Sequence, residues 1–312
     1  MGHLTRVLSL YLPECDIISV EQNDTLIHRS TILNERLQRV NGNFTTPKHY
    51  RESVHDGVSD SVIASLKKGQ KALIIGLHAC GDLSASILRI FVNSPQITAV
   101  ILFGCCYHKL TITEKLEECS QTDSADPCFP LSSKYRRKHL SHAARDLACH
   151  GNEIFAEHLL TKPHIAYRMQ CYRAVLESLM ASTTSEVVRG WRSSIVVRSV
   201  ACKDGMSFID YMRSALLKYP EVLEILEEQI ARDESAVQFI NSVDKEWRRL
   251  LVVHCLRLLL APFVEQLIIR DRVQYLEEHG HSAAVVPLFN PRISPRNFAI
   301  IAMKNYPDNH KC

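Results

Sequence analysis

Two short segments hold most of the side chains that could do chemistry. HACGD carries His78, Cys80 and Asp82, and GCCYH carries Cys105, Cys106, Tyr107 and His108. An imidazole, a carboxylate or a phenol can take a proton from a substrate nucleophile or orient it, so His78, Asp82 and Tyr107 are the acid–base candidates. The same segments present His78, Cys80, Cys105, Cys106 and His108, a donor set that suits zinc. Against zinc, adjacent Cys105 and Cys106 point to opposite faces if both lie in a strand. Free cysteines are readily buried as small apolar groups. The expectation is packing thiols and no metal. Asp82 has two open readings, a substrate contact or the N-cap of a following helix. Glu21, after the short run IISV, also has two: an acceptor for the hydroxyls of a ribose at a strand end, or a solvated carboxylate.

The elements that must position these residues follow from hydrophobic patterning. ALIIGL within 71–83 is a continuous apolar run, which predicts a strand buried on both faces, and SASILRIF after Gly81-Asp82 predicts a helix. Residues 97–107, ITAVILFGCCY, predict a second strand ending in a glycine turn. Earlier, Leu4, Val7, Leu8 and Tyr11 share one face of a helix over 2–11 that Pro13 stops. A strand over 17–21 leads to a helix over 22–40 with Leu26, Ile27, Leu33 and Leu37 on one side, and 41–60 reads as loop. Strands alternating with helices give an α/β class with a mainly parallel, Rossmann-like sheet. Helices are expected over 153–160, 165–181, 207–218, 221–230 and 235–278, with an extended passage in 188–201. Within the last helix, 250–263 is read as a buried core segment too short to span a bilayer. Strands at 283–289 and 297–304 close the chain as a hairpin at the sheet edge, with Arg292 and Arg296 shaping its proline-rich turn. The expected organisation is a core over 1–110, a helical insertion over 111–280, closing strands over 281–305 and a tail over 306–312.

Composition narrows the class. A formal net charge of +3 is too small to identify a nucleic-acid partner. Eleven scattered cysteines without a leader-like opening predict free thiols in a reducing, cytoplasmic or nuclear setting, with no membrane or DNA partner. Gly2 would suit N-myristoylation, but Arg6 stands where that signal wants Ser or Thr. KYRRKH, 134–139, is a compact basic run that reads either as a solvated helix face or as a contact to a nucleic-acid backbone. Arg189, Arg192 and Arg198 with Trp191 form a looser basic group with the same two readings.

Taken in order, GLHxCGDL, GCCY, FPLS at 129–132, YRAVLE at 172–177, LLLAPxVExLIxxDRxxYL at 258–276 and SPRN at 294–297 resemble the methyltransferase-like protein 25 family. They also resemble its relatives, the ribosomal RNA adenine dimethylase domain-containing proteins. The likeness runs from Gly2 to about residue 305. The His-x-Cys-Gly and Cys-Cys pairs have a more distant likeness to a eukaryotic tRNA acceptor-stem 2′-O-methyltransferase. The resemblance implies a class I fold that uses S-adenosylmethionine. It implies that Glu21 holds the ribose and that Gly2 is the last glycine of the cofactor loop, with His3, Gly76, Cys80 and Gly81 also on the cofactor side. Cys105, Cys106, Phe129 and Pro130 would lie toward the substrate, which is RNA or protein, with RNA preferred.

In the family, the segment before this opening has the pattern DxGxGxGHL(S/T), and the chain begins within it, at Gly2 to Thr5. The expectation is therefore a fragment, alternative start or incomplete gene model that binds the cofactor weakly or not at all, with inactivity of this chain left open. The alternative to an enzyme is a methyltransferase-fold scaffold without activity.

Overall fold

The structure is a computed structural model. It describes residues 2–42, 44–54, 62–63, 66, 69–112, 128–161, 167–191, 197, 200–201, 203 and 205–304. The chain divides into two compact units, one of residues 1–150 and 263–312, the other of residues 151–262.

The first unit is α/β. Helix α1 (His3–Tyr11) leads to β1 (Ile18–Glu21), α2 (Asp24–Val40) and β2 (Lys48–Arg51), and β1 and β2 pair in parallel. Next come β3 (Ala72–Cys80), α3 (Leu83–Asn93) and β4 (Ile97–Cys105), again a parallel pair joined by a helix. Short α4 (His142–Leu147) and long α11 (Ala261–Glu278) precede β5 (Ser282–Pro287) and β6 (Phe298–Met303). The larger sheet has the order β3-β4-β6-β5, with β6 antiparallel to both neighbours. This is the α/β class expected, with its closing hairpin: β5 forms the edge and β6 is inserted beside β4.

The core explains why these segments fold as they do. Central β4 buries Ile97, Val100, Leu102, Phe103 and Cys105. Leu88 and Phe91 of α3, Ile269 and Leu276 of α11, and Ile300 of β6 pack into the same cluster. β3 departs from expectation. It is an edge strand among the described residues, and it is not buried on both faces, since Leu73 is 47% exposed. Gly76 sits mid-strand, where a Cβ would come within 2.9 Å of both Ile87 and Leu102; this is close packing of α3 on the sheet rather than a strand-end turn.

The region 41–60, read as loop, contains β2. Its sequence, KHYR, is polar and only half-buried, so no apolar run marks it. The apolar faces of α1 and α2 are at most partly buried. Their seam is polar: Arg6 donates to Ser30 and Asn34, and Asn34 meets His49 at 3.0 Å. Val7 and Tyr11 stay exposed.

The second unit is helical: α5 (Asn152–Thr161), α6 (Arg168–Ser182), α7 (Glu186–Trp191), α8 (Phe208–Ala215), α9 (Pro220–Arg232) and α10 (Glu234–Leu258). Tyr172, Leu176, Met180, Met212 and Leu226 centre its core. Residues 186–191 are helical, which includes the start of the 188–201 stretch where a strand or extended passage was expected; much of that stretch, with Arg192 and Arg198, lies outside the described residues. The helix expected over 235–278 is two, broken at Leu259–Leu260 just ahead of Pro262, which is tolerated in a first turn. The run 250–263 is not a buried core segment: Val252, Val253, Leu256, Leu259, Leu260 and Phe263 are exposed. Trp247 packs with Tyr167 and Cys171, whereas these residues lie further along, on the helix's open side. By length and composition alone, Glu234–Glu278 is apolar enough to cross a membrane. The helical unit is narrower than 111–280, because 128–150 and α11 pack onto the sheet unit.

Candidate functional site at the strand ends

β3 and β4 end side by side, and their ends gather the chemical residues. The register slips between Gly76 and Ala79, so β3 carries one residue more than β4 there. Such bulges re-aim side chains near functional sites. Beyond the slip, His78 and Cys80 are both exposed, while Ala79 between them is fully buried. Gly81 then turns the chain at φ 54°, a region L side chains avoid. A Cβ at Gly81 would meet Lys109 at 2.8 Å, so glycine is required on both counts. The Gly81 N–H donates to the Cys105 carbonyl at 3.0 Å and ties the two strand ends together.

Asp82 does not cap α3 with its side chain. Its carboxylate accepts from the Thr111 N–H at 2.7 Å and the Thr111 hydroxyl at 2.6 Å, pinning the loop after β4. Tyr107 points into the core. Its hydroxyl donates to Glu265 at 3.3 Å, and Arg296 pairs with the same carboxylate at 2.6 Å while stacking over the Tyr107 ring. Burial, then the Glu265 charge, pushes the phenol far above its ordinary value, so it holds its proton at neutral pH. Of the three acid–base candidates, His78 alone keeps its functional group open among the described residues.

The thiols do not follow the strand-alternation argument. β4 ends at Cys105, and Cys106 takes a left-handed conformation (φ 50°, ψ 47°), which turns its side chain back. Cys80, Cys105 and Cys106 thus converge, with all three Sγ atoms within 4.8 Å of one another. His108 lies apart from them, its Nδ1 3.5 Å from the Cys149 sulfur. Burial and then the neighbouring Cys80 push the Cys105 and Cys106 thiols up, with Lys109 pulling Cys106 partly back.

Phe129 is fully buried beneath Arg272, and Pro130 is half-buried. The FPLS segment instead meets α11. Asp271 accepts from the Leu131 N–H, the Ser132 N–H and the Ser132 hydroxyl, and pairs with Arg272 at 2.6 Å. Arg272 also donates to the Cys128 carbonyl. Arg296 does more than shape a turn: it donates to the Ala148 and His150 carbonyls as well as to Glu265. The charged residues Glu265, Asp271 and Arg272 are the buried ones on a helix that also carries Arg270, Glu277 and Glu278, so the clasp of Asp271 and Arg272 on the FPLS segment has no mark in composition or spacing.

Glu21 closes β1. Its carboxylate accepts from the Asn23 N–H at 3.0 Å, and its second oxygen has no partner among the described residues. Gly2 is left-handed at φ 63° at the start of α1, which no side chain caps, and a Cβ there would strike Ser30 at 2.5 Å. His3 faces Arg6 at 3.2 Å. Gly2 and His3 are thus set by the α1–α2 seam. A strand-end acid with an open oxygen and an uncapped helix start have the donor and acceptor chemistry of a nucleoside and a carboxylate. The residues present therefore fit S-adenosylmethionine in type.

The cations of 134–139 are exposed, but 134–137 form turns rather than a helix face, and Glu278 accepts from the Ser133 and Lys134 amides. Glu278 ends α11 a short turn before β5, whose Ser282 shares its β6 partner Met303 with Ala99 near the start of β4. The run therefore lies toward the opposite end of β4 from Cys105, a strand length of roughly 20 Å.

The α/β fold with chemistry at its strand ends agrees with the family comparison: residues 1–113 match the family model described as a methyltransferase domain. That stretch of the α/β unit is thus similar to a methyltransferase domain. Among curated proteins it is similar to the probable methyltransferase-like protein 25 of Mus musculus, 29% identical over 243 residues, and of Homo sapiens, 30% identical over 244. Each match covers 77% of this chain, and the chain spans 38% of each relative's length. The similarity is to the family that the ordered motifs resemble. No solved structure matches.

Proposed function

We propose that the protein is an S-adenosylmethionine-dependent methyltransferase acting on RNA. The observation that carries the reading is Glu21, an acid at the carboxyl end of a parallel strand with one oxygen fixed by Asn23 and the other open. Glu21 would accept from the ribose hydroxyls, and the uncapped start of α1 at Gly2 would face the carboxylate end of the donor. The donor, when bound, supplies a methyl group on a sulfonium sulfur. The chain's own work is to orient the acceptor and to take the proton that an N–H or O–H acceptor loses on methylation. His78 is assigned that role, since the Asp82 carboxylate and the Tyr107 hydroxyl are engaged elsewhere. The exposed cations of 134–139 support RNA, because a folded RNA can span the strand length that separates them from His78.

The test supplies labelled S-adenosylmethionine with cellular RNA and protein fractions. Label is expected in RNA, reduced at least about tenfold by Glu21→Ala, the loss of a charged hydrogen bond. Label confined to protein would overturn the RNA assignment. Label in neither fraction would overturn the enzyme.

A further inference from the structure

We propose that Cys80, Cys105 and Cys106 form a binding site for a thiophilic cation, with Zn²⁺ as the ligand to test. The proposal does not depend on the methyl-transfer reading.

The geometry is that of a sulfur triangle. Cys80 and Cys105 share one rung of the parallel β3–β4 ladder, so their side chains leave on the same face. Their sulfurs stand 3.0 Å apart, and the Cys106 sulfur lies within 4.8 Å of both. Zinc–sulfur bonds of about 2.3 Å in a tetrahedron require sulfurs about 3.8 Å apart. The observed spread brackets that edge, and small side-chain rotations reach it.

The backbone is built to hold the third ligand. Had β4 continued, Cys106 would face away from Cys105. It is instead the one non-glycine residue with positive φ among those described. The Gly81–Cys105 hydrogen bond, the contact of Gly81 on Lys109 and the Asp82–Thr111 clamp fix both ends of this turn. A conformation that L residues avoid, held on several sides, marks a functional constraint.

The donors select the metal. Three sulfurs without an oxygen ligand favour a soft d¹⁰ ion over Mg²⁺, Ca²⁺ or Mn²⁺. Cys105 is buried, Cys106 half-buried and Cys80 exposed, so the fourth vertex opens toward solvent, as in zinc sites that exchange a ligand. Each coordinating thiol gives up its proton to the buffer on binding.

The experiment uses the full chain, purified reduced and metal-free, then loaded with Zn²⁺ and desalted. About one equivalent of zinc is expected. Cys80→Ser and Cys106→Ser should fall to the buffer blank with unchanged far-ultraviolet circular dichroism, whereas Cys15→Ser should retain zinc. In the unmutated chain, zinc should also protect Cys80 and Cys106 from alkylation in a peptide map, which keeps the test valid if a variant misfolds. Co²⁺ should give the intense visible bands of a tetrahedral thiolate site. No retained zinc, equal zinc in Cys80→Ser, or a Cys80–Cys105 disulfide in the zinc-treated sample would overturn the proposal.

Discussion

Asp271→Asn tests whether the 128–133 segment is held to α11 by charge. Asp271 is fully buried, and every group around its carboxylate is a donor: two amides, one hydroxyl and the Arg272 guanidinium. Asparagine keeps one oxygen, enough for the Ser132 contacts, but turns an NH₂ toward Arg272. That leaves a guanidinium only 2% exposed without its partner carboxylate. Removing one member of a buried ion pair costs about 3–5 kcal/mol. Whole domains have only ~5–15 kcal/mol in hand. With a urea m-value of ~2 kcal/mol/M, the midpoint of the α/β unit should drop by roughly 1.5–2.5 M. Amide exchange at Leu131 and Ser132 reports the same loss locally. Arg272→Met removes the stranded charge, so the double variant should be more stable than the sum of the singles by about 2–3 kcal/mol. A midpoint shift below roughly 0.5 M, or additivity within about 0.5 kcal/mol, would refute the reasoning.

Arg296→Met should destabilise the α/β unit by about 3–5 kcal/mol, because it leaves Glu265 charged and nearly buried. Tyr107→Phe removes one hydrogen bond to that carboxylate and should cost less, about 1.5–3 kcal/mol in the same urea assay; the reverse order would refute this ranking. In the helical unit, burial works against ionisation of Asp244, but hydrogen bonds from Arg168 and Tyr172 and the Arg168 charge outweigh it and hold its carboxyl below the ordinary range. That contribution is present above the unfolded value, about pH 4, and is lost as pH falls through the lower folded value. The stability of the helical unit should thus fall more steeply toward pH 3 in the unmutated chain than in Asp244→Asn, and equal slopes would refute the assignment.

The sequence made the interior of the fold legible and its polar joints illegible. The strand over 97–107 was readable because ITAVILF is apolar whichever face it presents, and β4 is indeed central. β2 was hidden because KHYR carries no apolar period. The shared face of Leu4, Val7, Leu8 and Tyr11 was readable, but not that Arg6 and Ser9 are the buried residues of α1. At the strand ends, spacing located His78, Cys80 and Cys105, but strict alternation put Cys106 on the wrong face. A single left-handed residue reverses a side chain, and no periodicity encodes that. The roles of Asp82 and Tyr107 depend on partners 29 and 158 residues away, Thr111 and Glu265, which one-dimensional spacing does not relate.

The position of β6 has a consequence for synthesis. β4 is complete at Cys105, but its second neighbour is β6, which begins at Phe298, with the whole helical unit encoded between them. At ~5–20 residues per second, a ribosome takes roughly 10–40 s to cover that interval. Throughout it, the edge of β4 that bears Val100 and Leu102 waits without its final strand. The helical unit, encoded without interruption, can meanwhile fold on its own residues. The nascent chain therefore carries a half-built sheet with one aggregation-prone edge until β6, made after the helical unit, closes its middle.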